Sequence, residues 1–114
     1  DGAFNKYAEL AQSLFKYTFT SHTDYIFLLN APKEQVVAVS RIKPKAKIVP
    51  LYTDLDDVTS WGIYWGVYAQ QIPKAMSLKN EDEVLKYINE NCSITSGHKF
   101  IVVEDQEIKE YTQK

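Results

Sequence analysis

The sequence has little of what small proteins use as staples or membrane anchors. It holds one cysteine, Cys92, in 114 residues, so no disulfide can form within the chain and a disulfide-stapled scaffold is excluded. A single cysteine is also typical of a reducing compartment, and we expect a cytoplasmic location. No apolar run approaches the roughly 20 residues that a transmembrane helix needs. We therefore expect no membrane partner.

The short motifs of common chemistries are also absent. There is no glycine-rich phosphate loop, no G-x-S-x-G turn and no H-E-x-x-H zinc motif. Cys92 and His98 could form a thiolate–imidazole pair, but no third orienting group is evident, so an incidental cysteine is favoured. The acidic residues Asp54, Asp56 and Asp57 could ligate Mg²⁺ or Ca²⁺, but charges at a helix start explain them as well. We predict no catalytic residue, no metal and no cofactor.

What is present fits one globular domain. The length is near the commonest domain size, and 45% apolar and 25% charged residues are ordinary proportions. Charge is uneven: Asp1 to Thr53 holds seven Lys/Arg against four Asp/Glu, and the remainder holds six against eleven. Neither half is extreme enough to argue for nucleic acid by itself.

Helices are indicated by apolar residues at helical spacing and by capping residues. Thr53 and Asn80 are good N-caps, and each precedes a run that includes acidic residues. The predicted helices run over about Ala3–Tyr17, Asp54–Trp61, Glu81–Asn91 and Gln106–Tyr111.

Strands are indicated by short apolar or β-branched runs between these helices. The predicted strands at Gln35–Ile42 and Lys47–Tyr52 would form an antiparallel hairpin about Pro44. Together the elements predict a single α+β domain over residues 1–114, with a mixed or antiparallel sheet of about four to five strands covered by helices. The predicted strands are Tyr25–Leu29, Gln35–Ile42, Lys47–Tyr52 and Lys99–Val103, with an extended segment over Ile72–Leu78.

An aromatic cluster follows the helix that starts at Thr53. Trp61, Tyr64, Trp65 and Tyr68 are spaced i, i+3, i+4 and i+7, one face of a helix. Large aromatics serve both cores and interfaces. We assign Trp61 to the core and predict Tyr64, Trp65 and Tyr68 as contacts for a partner.

The densest positive charge lies at Arg41, Lys43, Lys45 and Lys47. In a continuous strand these residues would form a cationic stripe, and with Pro44 in a turn they would crowd a hairpin tip. They would bind an acidic partner or phosphate, or protect a sheet edge from aggregation, which is the favoured interpretation. We include Arg41, Lys43 and Lys45 among the predicted partner contacts.

The segment Val49-Pro50-Leu51-Tyr52-Thr53-Asp54, followed by a helix to a tryptophan, resembles the strand-to-helix junction of SseB-like N-terminal domains. Tyr52 stands where that family has phenylalanine, and Asp54 where it has serine. The resemblance in element order covers Tyr25 to Asn91. It implies a small bacterial, cytoplasmic α/β domain without an established active site, and it supplies no catalytic residue.

These features predict a non-catalytic protein-binding or accessory module, for example of the immunity type, whose partner is another protein. The alternative is a small enzyme or ligand-binding domain that uses the cleft beside the helix starting at Thr53. Three aspartates in that first turn oppose an anionic ligand there. Nucleic-acid binding is a third, disfavoured hypothesis, since the lysines would have to belong to a larger positive face.

Overall fold

Helices alternate with strands through the residues that the computed structural model describes, which are 2–20, 23–31, 33–42, 45–52, 67–68, 70–72, 80–104 and 107–113. They form a single α+β domain, as predicted. In chain order the elements are α1 (Gly2–Thr20), β1 (Thr23–Leu29), α2 (Lys33–Arg41), β2 (Lys47–Tyr52), β3 (Gln70–Gln71), α3 (Glu81–Asn91), β4 (Lys99–Glu104) and β5 (Glu107–Thr112).

The sheet has the strand order β3-β2-β1-β4-β5. β1 is central and runs parallel to both neighbours, so that Ile26 pairs with Ile48 on one side and with Ile101 on the other. β3 continues the parallel arrangement beyond β2, and β5 runs antiparallel to β4. The prediction of a mixed sheet with about four to five strands is confirmed.

β1 is apolar along most of its length because both faces of the sheet are covered. Ile26 and Leu28 point into one core, and Phe27 and Leu29 point into the other. For this reason, strands of parallel sheets that are covered on both faces have continuous apolar sequences. The prediction of a buried central strand here is confirmed.

Two apolar clusters hold the layers together, one on each face of the sheet. α1 and α2 supply residues to the first cluster, which contains Tyr7, Leu10, Leu14, Ile26, Leu28, Ala31, Val36, Ala38, Val39, Ala46, Ile48, Tyr52, Val67, Ile101 and Val103. α3 supplies residues to the second, which contains Phe27, Leu29, Val49, Leu51, Ile72, Val84, Ile88, Ile94, Phe100 and Val102.

The predicted strand at Gln35–Ile42 is wrong, because this segment is helix α2. Its valines favour a strand locally. However, β1 and β2 are parallel neighbours, so the chain must cross over between them, usually through a helix. Val36 and Val39 are buried on that helix with Gln35 and Ser40, a helical spacing. The hairpin about Pro44 is wrong for the same reason.

The predicted terminal helix at Gln106–Tyr111 is also wrong, because Glu107–Thr112 is strand β5. Ile108 and Tyr111 are three residues apart, which suits a helix as well as a strand. In the structure they pack into opposite cores, as alternate faces of a strand do. Pairing with β4 stabilises the strand, since a backbone ladder then satisfies its polar groups.

The remaining predictions that the structure describes are confirmed with small changes in length. The first helix continues to Thr20, and the strands at Lys47 and Lys99 begin where expected. Asn80 caps α3: its side-chain oxygen accepts from the backbone N–H groups of Asp82 at 3.1 Å and Glu83 at 3.3 Å. The predicted helix at Asp54–Trp61 and nearly all of the extended segment after Ile72 lie outside the described residues.

Candidate functional site

Parallel strands place several chain segments at one end of the sheet. β1, β2 and β4 all begin there, at Thr23, Lys47 and Lys99. α1 ends shortly before β1 and α2 shortly before β2, so the C-terminal ends of both helices reach the same place. We call it the amino end of the sheet.

A lysine and two tyrosines form the first feature at the amino end. The Lys47 ammonium lies 5.8 Å from the ring centroid of Tyr25 and 5.7 Å from that of Tyr68. The Tyr68 backbone N–H donates to the carbonyl of Ile48 at 2.8 Å, which fixes its main chain beside β2. Tyr68 is nevertheless 56% exposed. We call Tyr25, Lys47 and Tyr68 the lysine–tyrosine surface.

A second lysine stands over a phenylalanine at the end of α1. The Lys45 ammonium lies 5.1 Å from the ring centroid of Phe19, and this ring stacks on Phe15 at 6.0 Å. Phe19 is 63% exposed and Phe15 41%. A cation over an aromatic ring contributes about 0.5–1 kcal/mol at an exposed site. Both lysines therefore help to hold exposed rings in defined positions.

The structure describes three of the six predicted contact residues. Tyr68 and Lys45 both lie at the amino end of the sheet, where each contributes to one of the ring–lysine contacts. Arg41 is the last residue of α2 and is exposed. The other three predicted contacts, Lys43, Tyr64 and Trp65, lie outside the described residues.

The phenylalanines were missed by sequence reasoning. The predicted first helix ends at about Tyr17 and so does not include Phe19, and Phe15 is not among the predicted contacts. The structure buries Leu14 and Thr18 and exposes Phe15 and Phe19. The available signal was a second helical stripe, Gln12-Phe15-Phe19, at i, i+3 and i+7.

His98 is paired with an aspartate. Its Nδ1 lies 3.1 and 3.0 Å from the two carboxylate oxygens of Asp24, which links the start of β1 to the turn before β4. Cys92 is the residue that follows α3 and is half-buried beside the second core, and burial raises the pKa of its thiol. A raised pKa disfavours the thiolate that nucleophilic catalysis requires.

The opposite, carboxyl end of the sheet contains a narrow cleft. In open α/β sheets ligands bind where the strand order reverses, here between the ends of β1 and β4. Leu29, Leu85 and Glu104 line this cleft, which has about 10 Å³ of free space. That is room for about one water molecule. The cleft beside Thr53 lies outside the described residues.

Tyr111 and Glu81 close the side of this cleft. The Tyr111 hydroxyl donates a short hydrogen bond to the Glu81 carboxylate, so β5 is joined to the first turn of α3. Burial, followed by this hydrogen bond and the neighbouring carboxylates, raises the pKa of Tyr111 to about 12. The hydroxyl therefore stays protonated at neutral pH and acts as a structural donor.

Two features, a metal-binding cluster and a membrane-spanning helix, are absent from the described residues. Residues 2–20, 23–31, 33–42, 45–52, 67–68, 70–72, 80–104 and 107–113 contain no group of three or more His, Cys, Asp or Glu side chains arranged to hold a metal ion. No helix within these ranges combines the length and apolar character that crossing a membrane requires.

Comparison with known proteins identifies the fold alone. No protein-family model matches the chain, and no curated protein matches it. Two structures of pyruvate kinase from Cryptosporidium parvum are similar to it, with TM-scores of 0.77 and 0.76 and 16% sequence identity in each case. The similarity covers 94% of this chain but 22% of each pyruvate kinase. The chain thus has the fold of one part of a larger enzyme.

Proposed function

We propose that the chain is a non-catalytic protein-binding module, an accessory or immunity-type protein, and that its partner contacts the amino end of the sheet. The observation that carries this proposal is the lysine–tyrosine surface. Tyr68 is 56% exposed, yet its backbone is bound to β2 and its ring lies beside Lys47. Exposed aromatic rings held in place are the residues that dominate interface energies.

Preorganisation supports this use of the surface. Ordering a side chain on binding costs about 0.5–1.5 kcal/mol when it was free before. The contacts of Tyr68 with β2 and Lys47 lower that cost because the ring is already restrained. Tyrosine also combines an apolar ring with a hydroxyl, which suits a surface that is wet before binding and dry afterwards.

Charge supports a particular class of partner. Residues 35–53 contain Arg41, Lys43, Lys45 and Lys47 and no Asp or Glu. Complementary potentials steer association and disfavour partners of the wrong charge. We therefore expect an acidic protein partner.

A capture experiment tests the proposal. The immobilised chain is exposed to lysate of the source cells, retained proteins are identified, and the purified partner is titrated against variants. Lys47→Glu should weaken binding at least about tenfold, because it reverses a charge at the contact. Lys86→Glu is the matched control, since Lys86 is an exposed lysine on α3 that is not part of the lysine–tyrosine surface.

Two outcomes would contradict the proposal. In the first, the wild-type chain retains no specific protein at low or moderate salt. In the second, a partner is retained, but Lys47→Glu and Lys86→Glu lower the affinity for that partner equally. Equal losses would mean that the partner responds to overall charge and not to this surface.

A second candidate function comes from the fold comparison. The chain matches 22% of each pyruvate kinase, so it is proposed to serve as one domain of a larger enzyme of that kind. The same surface would then contact the remaining domains. The test is to add the chain to a pyruvate kinase from which the matching segment has been removed. Restored activity would support this candidate, and unchanged activity would argue against it.

Three further hypotheses belong with this proposal. We propose a cytoplasmic location on the basis of the single cysteine. Membership of the SseB-like domains rests on the junction at Tyr52 and remains a prediction. A ligand-binding function beside Thr53 is the alternative to protein binding. A chain that turns over or binds a small molecule and captures no protein would favour that alternative.

A further inference from the structure

A hollow of about 490 Å³ lies between α3 and the hairpin that β4 and β5 form. Its volume is within the range of about 300–1,000 Å³ that ligand pockets occupy. We call it the hairpin hollow. Three of its lining side chains are apolar or aromatic and three are neutral and polar, which suits a ligand of mixed character. The described residues that line it are Leu85, Asn89, Phe100, Tyr111, Thr112 and Gln113.

Two stacked rings form the aromatic side of the hairpin hollow. The ring centroids of Phe100 and Tyr111 lie 5.4 Å apart, and the ring planes differ by 20°. Phe100 is buried and Tyr111 is half-buried, so Tyr111 is the ring that a ligand would meet. A planar ligand between the two rings would need a gap of two stacking distances, roughly 7–8 Å in all. A ligand would therefore lie against this pair and not between its rings.

Hydrogen bonds fix the walls of the hairpin hollow. The Tyr111 hydroxyl donates to the Glu81 carboxylate, which joins β5 to the first turn of α3. The Gln113 backbone N–H donates to the carbonyl of His98 at 2.8 Å, and the Gln113 carbonyl accepts from the N–H of Gly97 at 2.8 Å. A preformed site loses less conformational freedom when a ligand binds.

Neutral polar side chains form the other side of the hairpin hollow. Asn89 lies one helical turn after Leu85 on α3, and Thr112 and Gln113 are consecutive residues at the end of the hairpin. Asn89 and Thr112 are exposed and Gln113 is half-buried, so a ligand from solvent can reach them. Each side-chain amide offers two donors and an acceptor, and a hydroxyl both donates and accepts. Neighbouring hydroxyl groups of a ligand, which also donate and accept, match this set.

We propose that the hairpin hollow binds a neutral sugar, with one C–H face of the sugar ring against Tyr111 and with its hydroxyl groups on Asn89 and Gln113. The face of an aromatic ring carries the negative part of its quadrupole, and it attracts the weakly positive C–H groups of a sugar. The hydroxyl groups at the edge of the same sugar ring then meet the amides. This site goes beyond the proposed function and does not depend on it.

Other ligands satisfy only part of the hairpin hollow. An apolar ring would pack on Tyr111, but it would cover the amides of Asn89 and Gln113 without replacing their hydrogen bonds to water, which is unfavourable. A flat heteroaromatic base is bound best when side chains stack on both of its faces. The separation of Phe100 and Tyr111 leaves no such slot between them. A sugar uses both the ring and the amides.

A titration followed by NMR tests the inference. The full chain, labelled with ¹⁵N, is titrated separately with glucose, galactose, mannose, cyclohexanol and adenine. We expect at least one sugar to shift the side-chain amide signals of Asn89 and Gln113, with a dissociation constant of about 1 mM because few atoms make contact. Cyclohexanol and adenine should bind at least about tenfold more weakly, since they lack the neighbouring hydroxyl groups.

Variants locate the binding. Asn89→Ala and Gln113→Ala should each weaken the sugar about twofold to tenfold, the range that corresponds to one neutral hydrogen bond. Gln12→Ala is the matched control, because Gln12 is an exposed glutamine on α1 that does not line the hairpin hollow. Its affinity should equal that of the wild-type chain. Asn89 lies in the exposed interior of α3, so its variant stays informative if Gln113→Ala folds poorly.

Three results would overturn the inference. In the first, no sugar shifts the amide signals of Asn89 or Gln113. In the second, a sugar binds, but Asn89→Ala and Gln113→Ala bind it as tightly as Gln12→Ala does. In the third, cyclohexanol or adenine binds as tightly as the best sugar, so that the amides do not select hydroxyl groups. Capture of a protein partner that depends on Lys47 would still support the proposed function in each case, so the two failures are distinguishable.

Discussion

The two ends of the sheet differ in where their side chains find partners. At the carboxyl end, polar groups are hydrogen-bonded within the chain. The Tyr52 hydroxyl donates to the buried carbonyl of Ala31 at 2.6 Å, and the Asn30 N–H donates to the carbonyl of Leu51 at 3.0 Å. At the amino end, Phe19 and Tyr68 remain exposed beside lysines. Changes at the carboxyl end should therefore affect folding, and changes at the amino end should affect binding.

The charges at the two ends are also arranged differently. The first turn of α3, beside the carboxyl-end cleft, carries Glu81, Asp82 and Glu83, and Glu104 lies across from it. The acids of that turn complement the dipole of α3 and stabilise the helix. The lysines at the amino end contact the faces of aromatic rings.

The largest effect on stability is expected at Tyr52. Tyr52→Phe removes the donor to the Ala31 carbonyl and leaves that oxygen buried, at a cost of about 1–3 kcal/mol in the free energy of unfolding. Urea denaturation measures this loss. Tyr68→Phe is the matched control at the amino end and should change the free energy of unfolding by less than about 0.5 kcal/mol. Equal losses of stability would contradict the claim that the carboxyl end contributes more to folding than the amino end does.

A smaller effect is expected at the cap of α3. Asn80→Ala removes the acceptor for two backbone N–H groups and should cost about 1 kcal/mol. Asn89→Ala lies in the exposed interior of α3 and should be neutral or slightly stabilising, because alanine has the higher helix propensity. Thermal denaturation of both variants checks this. An unchanged Asn80→Ala variant would show that the cap is not needed.

Tyr111 gives a pH-dependent prediction. Its pKa is raised from 10.0 to about 12, so the folded state holds the proton more tightly than the unfolded state does. The resulting stabilisation is complete below pH 10 and is lost as pH rises toward 12. Glu81→Gln should lower the pKa of Tyr111, measured by tyrosinate absorbance. An unchanged titration would leave burial, and not Glu81, as the cause.

The smallest effects on stability are expected at the amino end. Phe19→Ser and Lys45→Ala each remove the exposed contact between the Lys45 ammonium and the Phe19 ring, and each should alter the free energy of unfolding by less than about 1 kcal/mol, the upper value of such a contact. Chemical denaturation of the two variants checks this. A loss of several kcal/mol would mean that these residues support the fold and are not held ready for a partner.

The sequence was sufficient where local signals and tertiary needs agree. The apolar run at Tyr25–Leu29 predicts a central strand, and Asn80 before an acidic turn predicts a helix start; both are confirmed. The segment at Gln35–Ile42 failed because its valines favour a strand whereas the parallel crossover demands a helix. The local preference of a segment for strand is overridden when the fold requires a helix to connect two parallel strands.

The candidate surface was only partly predictable. Tyr68 and Lys45 were chosen for their residue types, and the structure places both at the amino end. Phe15 and Phe19 were missed because apolar helical residues are ordinarily assigned to the core. Only the packing of α1 decides which of its two apolar faces is buried. The aromatic residues Tyr64 and Trp65 remain predictions.

The most direct test of the binding surface compares two charge reversals in one assay. The partner captured by the wild-type chain is titrated against Lys47→Glu and against Lys86→Glu, with unfolding curves to verify that both variants are folded. A loss of at least about tenfold in affinity confined to Lys47→Glu is the predicted result. Equal affinities for the two folded variants would contradict the claim that the amino end of the sheet binds the partner.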